Sequence, residues 1–193
     1  MITVHILTGD EVNAALDELA QLRIAVFRDW PYLYEGGLDY EREYLTNYRS
    51  EGAIIVAAYD GKQMVGAATG TPMEDHADDF GAAFAHRAEP LNRIFYCAES
   101  ILLAPYRGRG IGHAFFDSRE AHARALGRQY SAFCSVSRPD DHPARPADYR
   151  PLDNFWRKRG YAPLPQVVAE FPWKDIGESE SSKKPMQFWM KEL

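Results

Sequence analysis

One stretch constrains this chain more than any other: Ile101-Leu-Leu-Ala-Pro-Tyr-Arg-Gly-Arg-Gly-Ile-Gly-His113. An apolar, β-prone run over residues 94–103 leads into it, and an amphipathic helical pattern leaves it. The loop between them carries Gly108, Gly110 and Gly112, with Arg107 and Arg109 alongside. Glycines let the backbone turn so that several N–H groups point one way. The start of the helix adds unpaired N–H groups and the positive end of its dipole. Strand, glycine loop and helix in that order make an anion site suited to a diphosphate, and the arginines add charge. A Walker loop is excluded, because no Lys-Ser/Thr follows the glycines. The spacing Gly108-x-Gly110-x-Gly112 also departs from the Gly-x-Gly-x-x-Gly of a dinucleotide fold.

The flanking sequence predicts alternating strands and helices. Residues 2–7 alternate as a strand. Thr8-Gly-Asp-Glu11 has capping-box spacing. It opens a helix predicted to run to about Asp29, with Val12, Leu16, Leu19, Leu22, Val26 and Phe27 on one face. Trp30-Pro31 ends it. An aromatic loop, Tyr32-Leu-Tyr-Glu-Gly-Gly37, precedes a second helix predicted over 38–48. Residues 53–59 and 63–71 are apolar on both faces and are joined by Asp60-Gly-Lys, a hairpin signal. An insertion with Glu74, Asp75, Asp78 and Asp79 reads either as a solvated loop or as an attraction for an amine, and helix-prone composition follows over 82–89. Beyond the motif, a helix stops at Gly127. A strand over 130–136, a proline-rich loop or lid over 137–151 and a short helix over 152–158 come next. Strands over 167–171 and 185–191 close the chain, and the polar stretch 173–184 between them is predicted to be a mobile hairpin loop.

Composition excludes several classes. A chain that is 46% hydrophobic and 13% aromatic has enough for a real core, and 193 residues suit one domain spanning 1–193. The net charge of -6 argues against nucleic acid or an anionic membrane as partner. The sequence holds neither a long uncharged apolar run nor a basic leader, so a cytoplasmic location is expected. Cys97 and Cys134, both in apolar contexts, read as buried thiols. Asp140-Asp-His142 invites a metal reading, but one histidine and two adjacent aspartates define no metal site.

Arg107-Gly-Arg-Gly-Ile-Gly112 matches Arg/Gln-x-x-Gly-x-Gly/Ala, and Phe155-Trp-Arg-Lys-Arg-Gly-Tyr161 is close to a later Phe-Tyr-x-Lys-x-Gly-Phe element. On these motifs and the order of elements around them, nearly the whole chain resembles the GNAT superfamily of acyl-CoA-dependent N-acyltransferases. The resemblance implies a three-layer α/β/α sandwich with a mixed, mostly antiparallel sheet of about seven strands. The motif strand and the strand after the motif helix would be parallel and splayed. It further implies acetyl-CoA as co-substrate and no metal. The diphosphate would lie on Arg107, Gly108, Arg109, Gly110, Ile111, Gly112 and His113. The pantetheine arm would pair along Ser100, Ile101 and Leu102. Phe155 would pack against that arm or the core. The acceptor would be a small-molecule or peptide amine bound near the first helix–loop–helix. Phe27, Trp30, Tyr32 and Tyr34 are therefore candidate pocket walls, with core or loop-anchoring aromatics as the other reading. The sequence favours neither monomer nor homodimer.

An alkylamine has a pKa of about 10, so the acceptor must lose a proton before it attacks. Glu99 is the candidate base, a lone carboxylate in an apolar strand, read either as catalytic or as paired with an arginine such as Arg28. The resemblance puts a tyrosine acid where Trp156 stands, and an indole cannot donate a proton at neutral pH. Tyr161, Tyr149, a water or unaided departure of the thiolate are the alternatives. A cysteine acyl-enzyme lacks any activating cue. The expected reaction is direct transfer of an acetyl or other short acyl group from acyl-CoA to a primary amine in a ternary complex. The departure at Trp156 keeps open a non-catalytic acyl-CoA sensor or interaction module of the same fold.

Overall fold

Alternation at the N-terminus forms the first strand, Ile2–Leu7 (β1), in a computed structural model that describes residues 1–193. Helix α1 follows over Asp10–Phe27. The Glu11 carboxylate accepts from both the N–H (3.0 Å) and the hydroxyl (3.2 Å) of Thr8, so the capping spacing is used just ahead of the helix. Helix α2 covers Leu38–Leu45, shorter than predicted, because Thr46–Arg49 tightens into a 3-10 turn. Strands β2 (Ile54–Asp60) and β3 (Gln63–Pro72) form the predicted hairpin. Helix α3 lies at Ala77–Phe84, ahead of the predicted 82–89, because Phe80 and Phe84 at helical spacing both pack on Phe188.

The motif strand divides in two, β4 at Ile94–Tyr96 and β5 at Ser100–Leu102. Then come α4 (Ile111–Ala125), β6 (Tyr130–Val136), α5 (Asp153–Lys158), β7 (Ala162–Trp173) and β8 (Ser182–Glu192). The sheet order is β1-β2-β3-β4-β6-β8-β7, with β5 beside β3. Division of the motif strand makes this an eight-stranded sheet instead of about seven. Only β4 and β6 pair in parallel.

One face of the sheet carries α4 and α5 over Val65, Ala68, Phe95 and Phe133. On the other face, α1 and α2 cover Ile55, Ala57, Ala67 and Ile101, and α3 covers Tyr96, Ala132, Cys134 and Phe188. These are the three expected layers. No helix is long and apolar enough to cross a membrane.

The stretch 173–184, predicted as a mobile hairpin loop, does join two antiparallel strands and is held by specific contacts. Its ends lengthen β7 and β8, pairing Trp173 with Ser182. Its turn is tied to the aromatic loop after α1, since Glu35 N–H donates to Lys174 O (2.9 Å) and Ile176 N–H to Leu33 O (2.7 Å). The polar composition misleads because the charges satisfy one another: Asp175 and Lys184 are both buried, 3.4 Å apart.

Candidate active site

The glycine loop is built from backbone. Gly108 (φ 74°) and Gly110 (φ 81°) lie in the left-handed region, where an L side chain costs about 1–2 kcal/mol. A Cβ on either would meet open space, so conformation alone demands glycine there. Gly112 is different: it is helical, and a Cβ on it would sit an ordinary 3.5 Å from Phe155. The N–H groups of residues 108–112 have no acceptor in the protein, and they project at the head of α4. The N–H of His113, unlike those before it, is used within the protein, donating to Gly110 O (3.0 Å), and its ring packs on Phe155 (4.9 Å). Phe155 thus backs the loop. Arg109 stacks over Tyr106 (5.3 Å), and Arg107 donates from Nε to Leu102 O (3.2 Å).

A bulge breaks the motif strand. Ala98 N–H donates to Thr69 O (3.1 Å), while Thr69 N–H donates to Glu99 O (3.0 Å), so two residues oppose one. Leu103 N–H then donates to Val65 O (2.9 Å). Antiparallel alternation therefore turns the main-chain groups of Glu99, Ile101 and Leu103 toward β3, and those of Ser100 and Leu102 toward the unpaired edge. Ile101, predicted with its neighbours as a pairing position, spends its backbone on β3 and is buried under α1. On the other side, β6 has no partner facing β5 beyond Ala132. The two motif-flanking strands form a fork.

Arg119 holds the bulge in place. It is 1% exposed, and its guanidinium donates to Thr69 O (3.1 Å), Glu99 O (2.8 Å) and Ser100 Oγ (2.7 Å).

Glu99 sits in the bulge with its side chain buried. Oε1 is ion-paired with Arg23 and accepts from Tyr44 Oη (2.8 Å); Oε2 accepts from Thr69 Oγ1 (2.6 Å) and Tyr48 Oη (3.2 Å). Burial favours the protonated carboxyl, but the Arg23 cation and the Thr69 and Tyr44 hydroxyls outweigh it, so Glu99 lies below its ordinary range. Its arginine is Arg23, from the inward face of α1, and not Arg28. Arg23 also pairs with the fully buried Glu41. Arg23, Glu41 and Arg119 were not foreseen, although a signal existed. Each is a charge at a helical position where the spacing places apolar residues: Arg23 after Leu19, Glu41 before Leu45, Arg119 after Phe115.

The predicted pocket aromatics gather on the α1 side of the fork. Phe27 packs on Tyr32 (4.7 Å), and Tyr32 on Trp173 (6.0 Å). Trp30 contacts His142 (5.0 Å) and Tyr149 (5.9 Å) from the 137–151 loop. Tyr34 pairs with Asp175, and burial followed by the nearby Glu41 raises its phenol pKa. Arg138 binds these pieces together. It donates to Pro31 O (2.8 Å) and Tyr32 O (2.7 Å) and forks onto Asp175 (2.7 and 2.9 Å).

The alternatives for an acid separate here. Tyr161 is buried on the α4 face, sharing its hydroxyl with Ser131 Oγ (2.7 Å) and Glu120 (3.1 Å). Tyr149 is half-buried against Trp30. Trp156 packs on Phe133 and Trp189 in the core. Burial pushes the Cys134 thiol up to about 12, so it stays protonated. Cys97 is buried, 3.3 Å from Ser131 Oγ. Asp140 is paired with Arg145, and no group of His, Cys, Asp and Glu is placed to hold a metal.

The family model described as "Acetyltransferase (GNAT) family" matches residues 19–161. No curated protein matches the chain. Among solved structures, an aminoglycoside 6'-N-acetyltransferase complexed with coenzyme A is 16% identical with a TM-score of 0.64, covering 98% of this chain and 96% of its own. A ribosomal-protein-alanine N-acetyltransferase from Brucella melitensis is 16% identical with a TM-score of 0.59, covering 99% of each. A Salmonella typhimurium protein solved with its cofactor acetyl-CoA is 12% identical with a TM-score of 0.60, covering 100% of this chain and 94% of its own. At these identities the likeness is one of fold.

Proposed function

The chain belongs to the GNAT acetyltransferase family, and on that premise we propose that it transfers an acetyl or other short acyl group from acyl-CoA to a primary amine by direct attack. One observation carries the reading: the N–H groups of residues 108–112, at the head of α4, have no acceptor in the protein, and the loop is joined to the edge of β5 through the Arg107–Leu102 contact. Those groups, with Arg107 and Arg109, would hold the diphosphate. Ser100 and Leu102 would align the pantetheine amides by main-chain pairing. Acyl-CoA supplies a thioester carbonyl open to nucleophilic attack.

Glu99 is the group we assign to take the amine's proton. Both of its oxygens already accept hydrogen bonds, so the proton arrives through a hydroxyl. Tyr44 or Tyr48 accepts it from the amine while passing its own proton to Glu99. Phe27, Trp30, Tyr32 and Tyr34 wall the acceptor side for a small-molecule or peptide amine, and the setting is the cytoplasm. No protein acid is assigned, since a thiol of pKa about 8.5 leaves as its thiolate.

Calorimetry tests the donor half: acetyl-CoA should bind with micromolar affinity, weakened about tenfold in Arg107→Ala. Thiol release over a panel of amines tests the rest. Saturation of Glu99 favours a second reading, an acyl-CoA-binding module without turnover, which predicts binding and no thiol release. Absence of binding sinks both readings.

A further inference from the structure

Arg23 is 6% exposed and Glu41 fully buried, and the guanidinium lies between Glu41 and Glu99, paired to each. It also rests on the rings of Tyr44 (4.4 Å) and Phe27 (5.1 Å). One oxygen of Glu41 has no hydrogen bond of ordinary geometry, and the neutral Tyr34 phenol is the group beside the carboxylate. Burying a second carboxylate against one cation is costly, and a purely structural ion pair needs only one. The groups around Glu99 are Arg23 on α1 with Glu41 of α2 paired to it, Tyr32 in the loop after α1, Tyr44 on α2, Tyr48 in the 3-10 turn, Thr69 on β3, Cys134 on β6 beside Tyr96 on β4, and Arg119 on α4 at the Glu99 main-chain oxygen. Burial raises every one of these phenols and the thiol, so they stay neutral. The charged side chains left are Arg23 at the Glu99 carboxylate, Glu41 paired to the same Arg23, and Arg119, which donates to the Glu99 main-chain oxygen.

A lone arginine would make Glu99 a permanent anion and a poor proton acceptor, because base strength falls with pKa. A competing carboxylate offsets this by drawing on the same guanidinium. We propose that Arg23 is the positioning residue that aims Glu99 and keeps it anionic, and that Glu41 is the counterweight that leaves Glu99 basic enough to accept the amine's proton. The inference rests on the acyl-transfer reading, with Glu99 as its proton acceptor.

The test titrates the Glu99 carboxyl carbon by NMR in the full-length protein, alongside the pH profile of kcat/KM for thiol release from acetyl-CoA with an amine the wild type accepts. Glu41→Gln should lower the Glu99 pKa by about one unit, and Arg23→Gln should raise it by about 1–3 units. The acid limb of the profile should move the same way in each variant. Acetyl-CoA affinity should be unchanged in both, since neither residue touches the glycine loop. An unmoved Glu99 titration in Glu41→Gln overturns the proposal. Where Arg23→Gln does not fold, the isosteric Glu41→Gln decides alone, because it keeps the Arg23–Glu99 pair. A wild type that turns over no amine would sink the acyl-transfer reading, and the carboxyl titration would still decide how Arg23 is shared.

Discussion

At the donor end of the fork, one turn of chain presents the N–H groups of residues 108–112, and the conformations of two glycines suffice to aim them. At the acceptor end, Glu99 is held by Arg23, Tyr44, Tyr48 and Thr69, which come from four separate elements. The first site is exposed and made of backbone; the second is buried and made of side chains. A backbone site can be lost through a single dihedral without loss of the fold, because no side chain packs where a Cβ on Gly108 or Gly110 would stand. A buried ionic site is tied to the stability of the whole molecule, because each partner left alone strands another.

Arg119 is where this contrast should break most visibly. Arg119→Ala removes the donor to Thr69 O and Glu99 O from the interior and should cost about 3 kcal/mol or more in denaturant unfolding. A loss below about 1 kcal/mol would mean that the bulge holds itself. At the donor end, Gly108→Val and Gly110→Val should each cost about 1–2 kcal/mol of stability through local strain, a smaller fall in unfolding midpoint than Arg119→Ala gives, and weaken acetyl-CoA binding at least about tenfold in calorimetry. Equal destabilisation at both ends would erase the distinction.

A pH titration sharpens it. Glu99 is depressed in the folded protein, so its contribution is fully present above its ordinary value of 4.5 and is lost as pH falls below that, through the folded value. Asp175, held down by Arg138 and Lys184 against the opposing effect of burial, behaves the same way from 3.8. Urea midpoints should therefore fall on acidification, and the slope should be shallower in Glu99→Gln. The smallest effect belongs to Gly112→Ala: it should change stability by less than about 1 kcal/mol, with a gain if helix propensity prevails.

Much of the sheet was legible in advance. The β2–β3 hairpin, α1, α4 and β6 lie where alternation, helical spacing and Asp60-Gly-Lys put them. The misses have separate causes. The run over 94–103 is uniformly apolar, and a bulge inside it changes partners without changing composition. Strand β7 begins at Ala162, earlier than 167, because Pro163 and Pro165 masked it; an edge strand tolerates proline. Among the predicted site residues, Gly108, Arg109, Gly110, Ile111 and Gly112 offer free N–H groups, and Ser100 and Leu102 an open edge. Ile101 and His113 are committed elsewhere.

The glycine loop was readable because its geometry is a property of consecutive residues. Two positive φ angles and a helix start aim the N–H groups, and all of that is encoded within a few positions. The resemblance to the family, and with it the proposal of a CoA diphosphate here, follows from it. The setting of Glu99 was not readable, because its partners are chosen by the fold. Tyr44 lies 55 residues away in sequence, Tyr48 51 and Thr69 30. Sequence could mark Glu99 as an odd carboxylate in an apolar strand. Only the packing of α1 and α2 over β3 and β5 decides which cation it meets, how many donors it has, and which other carboxylate competes for the same arginine.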